Sequence, residues 1–174
     1  MQDAIILDLD LTLLKPKMPN GYIHSPENFK ANELYYYAHL EKCEPMRPVI
    51  HQVFQFLQKF PDTNVIFLTA RREPYKGIDT RAKTMETLAP FFERYKCALI
   101  MMPETLKCES SVDVAEFKER ELKKIQDNFR VLFALDDDVY NRMMYSMNGI
   151  PSFSPDEFTA ASSIEINLTR VEKQ

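Results

Sequence analysis

Short apolar runs alternate along this chain with longer amphipathic stretches, and this alternation predicts an α/β fold. Four runs have the length and the apolar, β-rich composition of buried strands in a parallel sheet. They are Ala4–Leu9, Asn64–Leu68, Ala98–Met102 and Val131–Leu135. Between them, apolar residues recur at helical spacing, as they do in the connections of parallel sheets. We therefore predict a central parallel sheet with helices on both of its faces.

The predicted helices follow the strands in regular order. They cover about Pro48–Phe60, Asp79–Phe92, Val112–Asn128 and Val139–Met147. Asn148-Gly149 is placed where a left-handed helix end is expected, and Ile150–Phe153 could add a short edge strand. Further along, Ile164, Ile166 and Leu168 alternate with polar residues, which is compatible with an edge strand or with a surface that packs on a partner. The sequence does not choose between these two options.

The segment from Leu13 to Glu44 interrupts the alternation, because it is too long for a simple connection between a strand and a helix. Within it, Pro19-Asn20-Gly21 is a strong turn signal. Leu13–Lys17 and Tyr22–His24 flank this turn and could pair as a hairpin beside the end of the first strand. We therefore expect a small flap or cap insert at about residues 13–44.

The second half of this insert has the signals of a helix start. Ser25 is suited to the N-cap position and Pro26 to the first turn, and the helix would run toward Leu40. The helix contains the run Tyr35-Tyr36-Tyr37, which could stack on a nucleic-acid base. Packing of these rings within the protein or on its surface is the favoured interpretation.

The amino-acid composition is that of an ordinary globular protein. Hydrophobic residues make up 45% of its 174 residues and charged residues 28%, as is usual for globular domains. This length suits one domain, so we predict a single domain over residues 1–174. No apolar run approaches the roughly 18 residues of a membrane span. We expect neither a membrane nor an obligate protein partner.

Charge and cysteine usage narrow the setting further. A net charge of -4 disfavours a broad basic surface along a duplex, whereas a single chain end or a small anion still fits. Cys43, Cys97 and Cys108 lie at no metal-like spacing, and the first strand starts near residue 3 with no room for a signal peptide. We therefore expect a cytoplasmic protein.

Charged and hydroxyl side chains follow three of the predicted strands, at the sheet edge where open α/β sheets bind ligands. Asp8, Asp10 and Thr12 follow the first strand, Thr69–Arg72 follows the second, and Asp136–Asp138 follows the fourth. Each group alone has a structural explanation, since Asp caps helices and starts turns. Their concentration at one edge favours a functional site, with Asp138 as the cap of the next helix.

Asp8 and Asp10 are spaced so that their side chains should share a face and meet. Two carboxylates in a small space are costly unless they share a cation or one holds a proton. Carboxylates from separate loops suit Mg²⁺. With this metal at a phosphate, Asp8 could attack phosphorus, and Asp10 could protonate the leaving oxygen and then activate water. Thr69 and a lysine would hold the other phosphoryl oxygens.

These motifs resemble the four motifs of the haloacid dehalogenase superfamily of phosphohydrolases. The resemblance spans roughly residues 3 to 153 and implies a three-layer Rossmannoid fold. Within the superfamily, the chain is most similar to the 3'-phosphatase domains of phage polynucleotide kinases. The matching segments are Asp8-Leu9-Asp10-Leu11-Thr12, Leu40-Glu41-Lys42-Cys43, Thr69-Ala70-Arg71, Thr80-Arg81, Phe117-Lys118-Glu119 and Ala134-Leu135-Asp136-Asp137.

The resemblance also implies roles for individual residues. Asp8 would be the nucleophile, the side chain of Asp10 the general acid and base, and Thr69 the phosphate-binding hydroxyl. A Mg²⁺ ion would be bound by Asp8, by the backbone carbonyl of Asp10, and by Asp136 or Asp137. The implied substrate is a phosphorylated nucleotide or the 3' end of a nucleic acid.

Lys118 would be the lysine of the third motif, which offsets negative charge in the transition state. Its own helix also carries Lys123 and Lys124, and Lys107 lies in the preceding loop. Helical lysines usually face solvent, so only the surrounding pattern singles out Lys118. The choice among these lysines therefore depends on which of them the fold brings to the acids.

On the substrate side, Arg71 would reach the substrate phosphate, and Thr12 and Arg81 complete the expected binding set. A cationic lining along an incoming strand would favour a nucleic-acid end over a small ester. Such a lining could be formed by Lys15, Lys17, Arg71, Arg72 and Arg81. Single surface cations often serve only solubility, so this is a weak discriminator.

Two positions depart from the family pattern. Leu11 stands where a glycine is common, and Val114 stands where related kinase domains carry an acid four residues before the lysine. No phosphate-binding Gly-rich loop of a kinase half is present, so any activity is a phosphatase activity alone. The alternatives are a phosphatase for free nucleotides or other small esters, and a catalytically idle binding domain.

Overall fold

The computed structural model describes residues 1–23 and 25–160, and a sheet of five parallel strands forms its centre. The strands in chain order are β1 (Gln2–Leu7), β2 (Leu14–Lys15), β3 (Glu44–Pro45), β4 (Asn64–Glu73), β5 (Cys97–Pro103), β6 (Phe129–Leu135) and β7 (Ser152–Phe153). The helices are α1 (Pro26–Ala38), α2 (Arg47–Lys59), α3 (Thr80–Phe92), α4 (Ser111–Gln126), α5 (Val139–Met147) and α6 (Pro155–Ala160). A single 3-10 turn, Leu40–Lys42, follows α1.

The central sheet has the strand order β5-β4-β1-β6-β7, so β1 lies in the middle. Leu7 at the end of β1 is opposite Phe67 of β4 and Leu135 of β6. Because all these strands are parallel, their carboxyl ends meet at one edge of the sheet. The first and last parts of the chain, which are far apart in sequence, are thereby neighbours at this edge.

Both faces of the sheet are covered by helices, because successive side chains of a strand point to opposite faces. Ile5 and Leu7 pack on one face with residues of α2, α3 and α6. Ala4 and Ile6 pack on the other face with residues of α4 and α5. The predicted class, an α/β fold with a parallel sheet between two helical layers, is confirmed.

The first strand ends earlier than predicted, at Leu7 rather than Leu9. The carbonyl of Leu9 accepts the amides of Thr12, Leu13 and Leu14 at 3.2, 2.9 and 2.8 Å, so the chain turns directly after Asp8. Leu9 is nonetheless fully buried in the core. Its apolar side chain explains why the sequence pattern extends the strand beyond its true end.

The predicted hairpin in the insert is wrong. The Pro19 to Gly21 turn forms, with the amide of Tyr22 donating to the carbonyl of Pro19 at 3.1 Å, but it does not join two paired strands. Instead β2 pairs in antiparallel fashion with β3, the segment that leads into α2. Leu13 and Leu14 are fully buried in the core that α2 covers, and this burial fixes their position. His24, the end of the predicted partner strand, lies outside the described residues.

Helix α1 begins where it was predicted, since the hydroxyl of Ser25 accepts the amide of Asn28 at 3.1 Å. It ends at Ala38, two residues before the predicted end. Tyr36 and Tyr37 are both buried, and the ring of Tyr37 stacks on that of Tyr75 at 4.0 Å. The tyrosine run therefore packs within the protein, as favoured above.

The predicted edge strand is present as β7, which pairs with β6 in parallel. The alternating residues Ile164, Ile166 and Leu168 lie outside the described residues. Across residues 1–23 and 25–160, none of the helices has both the length and the apolar composition needed to cross a bilayer.

Core packing predicts the stability cost of a single truncation. Phe133 is fully buried, and its ring contacts those of Phe56, Phe153 and Phe158. We expect Phe133→Ala to lower the free energy of unfolding by about 3–5 kcal/mol, measured by urea denaturation. Met147→Ala at an 84% exposed position should change it by less than about 0.5 kcal/mol. Similar values for both variants would contradict this description of the core.

Candidate active site

The acids that follow β1 and the acids that follow β6 lie close together, because these two strands are neighbours in the sheet. The amide of Asp8 donates to the carbonyl of Leu135 at 2.9 Å, which aligns Asp8 with the residues that follow β6. Carboxylate oxygens of Asp8, Asp136 and Asp137 all lie within 4.8 Å of one another. Asp8 and Asp136 are buried, and Asp137 is exposed. The cluster is therefore shielded from solvent at Asp8 and Asp136 and open to solvent at Asp137.

Lys118 lies between two of these acids. Its Nζ atom donates to Asp8 Oδ1 and to Asp136 Oδ2, at 2.7 Å in both cases, and its side chain is only 1% exposed. By contrast, Lys123 and Lys124 are 64% and 70% exposed and pair with glutamates of α4. Of the lysines considered on this helix, Lys118 is the one that the fold brings to the site.

A hydrogen-bond network fixes the orientation of Asp136. Its Oδ1 atom accepts the backbone amide of Asp138 at 3.1 Å and the side-chain amide of Asn141 at 2.9 Å. Asp138 caps α5, as predicted, by accepting the amides of Tyr140 and Asn141. Asn141 was not identified from the sequence. Its position in the first turn of α5, three residues after Asp138, was the available signal in the sequence.

Thr12 connects the loop after β1 to the acids after β6. Its hydroxyl donates to Asp8 Oδ2 at 3.2 Å and accepts the backbone amide of Asp137 at 3.0 Å. The side chain is fully buried. The structure thus places Thr12 against the nucleophile candidate itself. Next to it, Leu11 has a φ of 59°, the left-handed region that favours the glycine common at this position.

Electrostatics at the site favour a bound cation. Burial raises the pKa of Asp8 to about 8, reinforced by Asp136 and Asp137 and opposed by Lys118. Although Asp137 is exposed as a residue, partial desolvation of its carboxyl and then the negative charge of Asp136 raise its pKa to about 6. Three carboxylates and one ammonium leave two negative charges when all are ionised. A divalent cation that prefers oxygen ligands, such as Mg²⁺, fits this donor set and this charge.

Asp10 faces a different set of residues from Asp8. Its Oδ2 atom accepts Arg71 Nε at 2.9 Å and the hydroxyl of Tyr36 at 2.5 Å, and its Oδ1 atom accepts Arg71 Nη2 at 2.7 Å. Its carboxylate is not among the acids clustered with Asp8. The two carboxylates therefore contact different sets of residues, because the chain turns at Leu9 between them. Burial keeps the pKa of Tyr36 well above its usual value, so its hydroxyl remains a donor.

Arg71 lies behind Asp10. Its side chain is fully buried, and besides Asp10 it donates to Thr84 Oγ1 at 3.1 Å and to Cys43 Sγ at 3.6 Å. The predicted contact of Arg71 with a substrate phosphate thus has no support in this arrangement. Thr69 is buried at the end of the same region, and its hydroxyl accepts the amide of Arg71 at 3.3 Å.

The other expected cations on β4 and α3 are used within the protein. Arg81 forms a two-pronged ion pair with Glu73 and donates to the carbonyl of Leu99 at 3.1 Å. Arg72 donates to three backbone carbonyls of the loop at residues 104–108. Lys15 and Lys17 of the predicted lining remain exposed. The structure thus gives only weak support to a continuous cationic lining.

Comparison with known proteins agrees with this fold. No protein-family model and no curated protein matches the chain. A chain of the Pnkp1/Rnl/Hen1 RNA repair complex is 25% identical and superposes with a TM-score of 0.62, over 88% of this chain and 42% of its own length. A haloacid dehalogenase-like family hydrolase from Streptococcus pneumoniae is 12% identical, with a TM-score of 0.52, over 88% of this chain and 84% of its own length.

In fold, the chain is similar to haloacid dehalogenase-like hydrolases. It is also similar in fold to a chain of the Pnkp1/Rnl/Hen1 RNA repair complex. It spans about two fifths of the repair-complex chain that it matches, as the 42% coverage shows. The resemblance found from the sequence motifs is therefore confirmed.

The buried ammonium of Lys118 predicts a large stability effect. Its removal leaves the carboxylates of Asp8 and Asp136 buried without their cation. We expect Lys118→Met to lower the free energy of unfolding by about 3–5 kcal/mol, measured by denaturant titration without metal. Lys123→Met on the same helix should change it by less than about 0.5 kcal/mol. Equal effects of the two substitutions would show that Lys118 is not the neutralising group.

The raised pKa of Asp137 predicts that the site destabilises the metal-free protein at neutral pH. A carboxyl with a raised pKa binds its proton more tightly in the folded state, so its ionisation as pH rises lowers stability. Asp137→Asn should raise the melting temperature by about 2 °C near pH 8 in a chelator, and this gain should disappear near pH 4. Asp62→Asn, at an exposed position outside the cluster, serves as the control. A lower melting temperature for Asp137→Asn near pH 8 would contradict the argument.

Proposed function

We propose that this protein is a Mg²⁺-dependent phosphohydrolase that works through an aspartyl-phosphate on Asp8 and removes 3'-phosphates from polynucleotide ends or nucleotides. One observation carries the proposal: Asp8 lies against Lys118 and Thr12, within 4.8 Å of two further acids. This arrangement places a candidate nucleophile, a buried lysine ammonium and a site suited to a metal ion next to one another. Each of these features promotes hydrolysis of a phosphate ester through a covalent intermediate.

Asp8 and one or both of Asp136 and Asp137 would hold the metal, with the backbone carbonyl of Asp10 as a further ligand. When bound, Mg²⁺ would neutralise phosphate oxygens and so allow an anionic nucleophile to approach phosphorus. Lys118 contributes a second positive charge that the protein itself supplies. Because it contacts Asp8 at 2.7 Å, it is close to the negative charge that accumulates during transfer.

The reaction would proceed in two steps. In the first, a carboxylate oxygen of Asp8 forms a bond to phosphorus while the bond from phosphorus to the leaving oxygen breaks. Asp10 gives its proton to that oxygen. In the second, Asp10 takes a proton from water, the water oxygen bonds to phosphorus, and the carboxylate of Asp8 is released with inorganic phosphate. Thr69 would hold a phosphoryl oxygen.

Two observations bear on the substrate. Likeness to a chain of an RNA repair complex supports a nucleic-acid end, and the exposed Asp137 supports an open site that can admit one. The internal pairing of Arg72 and Arg81 instead favours the second candidate, a phosphatase for free nucleotides or other small esters. Specificity would then depend on the insert and its exposed residues Lys15 and Lys17.

A comparison of substrates tests the proposal. Phosphate release is measured on a 3'-phosphorylated oligonucleotide, the same oligonucleotide phosphorylated at its 5' end, and a nucleoside 3'-monophosphate. We expect kcat/KM for the 3' end to exceed that for the 5' end by about tenfold or more. Chelation of divalent cations should abolish activity, and added Mg²⁺ should restore it.

Variants complete this test. Asp8→Asn should lower kcat by at least about a thousandfold, whereas Asp62→Asn should retain wild-type activity. Equal rates on all three substrates would support the small-ester alternative and reject the preference for 3' ends. Activity that survives Asp8→Asn would reject the nucleophile, and no turnover with any divalent metal would favour an idle binding domain.

A further inference from the structure

Among the residues that surround the reacting acids, Tyr36 has no role in the reaction described above. It belongs to α1 of the insert, yet its hydroxyl lies 2.5 Å from Asp10 Oδ2. Its ring packs against Phe29 and Tyr37, and the guanidinium of Arg71 lies 6.0 Å from the ring centre. The insert thereby reaches the acid that we assign to proton transfer.

The hydrogen bonds to Asp10 differ between its two oxygens. Oδ2 accepts two donors, Arg71 Nε and the hydroxyl of Tyr36, which occupies both of its lone pairs. Among residues 1–23 and 25–160, Oδ1 accepts a hydrogen bond from Arg71 Nη2 alone, so the described residues leave one of its lone pairs without a donor. The side chain of Asp10 is 26% exposed, so this oxygen can face a substrate. The unequal pairing marks Oδ1 as the atom that exchanges protons.

We propose that Tyr36 is a positioning residue for the proton-transfer acid, holding Asp10 Oδ2 so that Oδ1 is directed at the leaving oxygen. Arg71, which belongs to β4, contacts both oxygens of the carboxylate and so fixes its plane. Tyr36 holds the same group from the insert, so the carboxylate is clamped between two separate elements. This inference rests on the proposed function, because it assigns the proton-transfer role to Asp10.

A test must separate lost positioning from general damage to the fold. Proton donation by Asp10 matters most when the leaving oxygen is a poor leaving group, and little when that oxygen departs readily as an anion. A series of aryl phosphates of similar size, from phenyl phosphate to p-nitrophenyl phosphate, varies this property alone. The quantity measured is kcat/KM, which reports steps up to transfer of phosphate to Asp8 and excludes hydrolysis of the intermediate.

For Tyr36→Phe we expect kcat/KM on phenyl phosphate to fall by about tenfold or more while that on p-nitrophenyl phosphate falls by less than about twofold. The dependence of rate on the leaving group should therefore steepen. Tyr37→Phe is the matched control, because Tyr37 is adjacent, equally buried, and accepts the amide of Arg72 rather than contacting Asp10. It should leave the dependence unchanged.

The outcomes are distinguishable. Equal losses on all esters in Tyr36→Phe, or a steeper dependence in Tyr37→Phe as well, would overturn the positioning role and leave the proposed function standing. A wild-type protein that cleaves neither these esters nor the 3'-phosphorylated oligonucleotide would reject the proposed function and the inference with it. If Tyr36→Phe does not fold, a fluorinated tyrosine at this position, which keeps ring and hydroxyl but changes its acidity, takes its place. It should alter kcat/KM on phenyl phosphate by at least about twofold, and unchanged values on both esters would overturn the inference.

Discussion

The ion pairs of Lys118 with Asp8 and Asp136 are the constraint on which the site depends. A parallel sheet brings the ends of β1 and β6 together, and this alone would bury two carboxylates side by side. Such a pair is costly unless a positive charge lies between the two groups or one of them holds a proton. The ammonium supplies that charge at 2.7 Å from each acid. The ammonium does not offset the charge of the third acid, Asp137. With all groups ionised, the net charge of the cluster is therefore negative and suits a divalent cation.

The turn at Leu9 divides the acids into two groups with different supports. Asp8 is held by α4 and the residues after β6, on one side of the turn. Asp10 is held by Arg71 of β4 and Tyr36 of α1, on the other side. The proposed nucleophile, Asp8, therefore depends on the central layers of the fold, whereas the proposed proton-transfer acid, Asp10, depends partly on the insert. In the proposed reaction, a change in the insert could alter proton transfer and substrate access without disturbing Asp8.

The parts of the fold that depend on local sequence patterns could be predicted from the sequence. The apolar runs located all four predicted strands, and Ser25, Pro26 and Asp138 located two helix starts, because each of these signals acts within a few residues. Contacts between residues far apart in the chain could not be predicted, because they depend on how the whole core packs. The pairing of β2 with β3 crosses the whole of α1, and Arg71 and Arg81 find internal acids that no spacing reveals. At the site, strand-end acids were found from topology, while Tyr36 and Asn141 depend on how helices dock.

The central claim is that the carboxylate of Asp8 becomes covalently attached to phosphate during turnover. An acyl phosphate is reduced by borohydride to an alcohol, so quenching the reacting protein with this reagent converts a phosphorylated aspartate to homoserine. Peptide mass spectrometry then locates the modified residue. We predict homoserine at position 8, only when substrate and Mg²⁺ are both present. Homoserine at another aspartate, or none during steady turnover, would contradict the account.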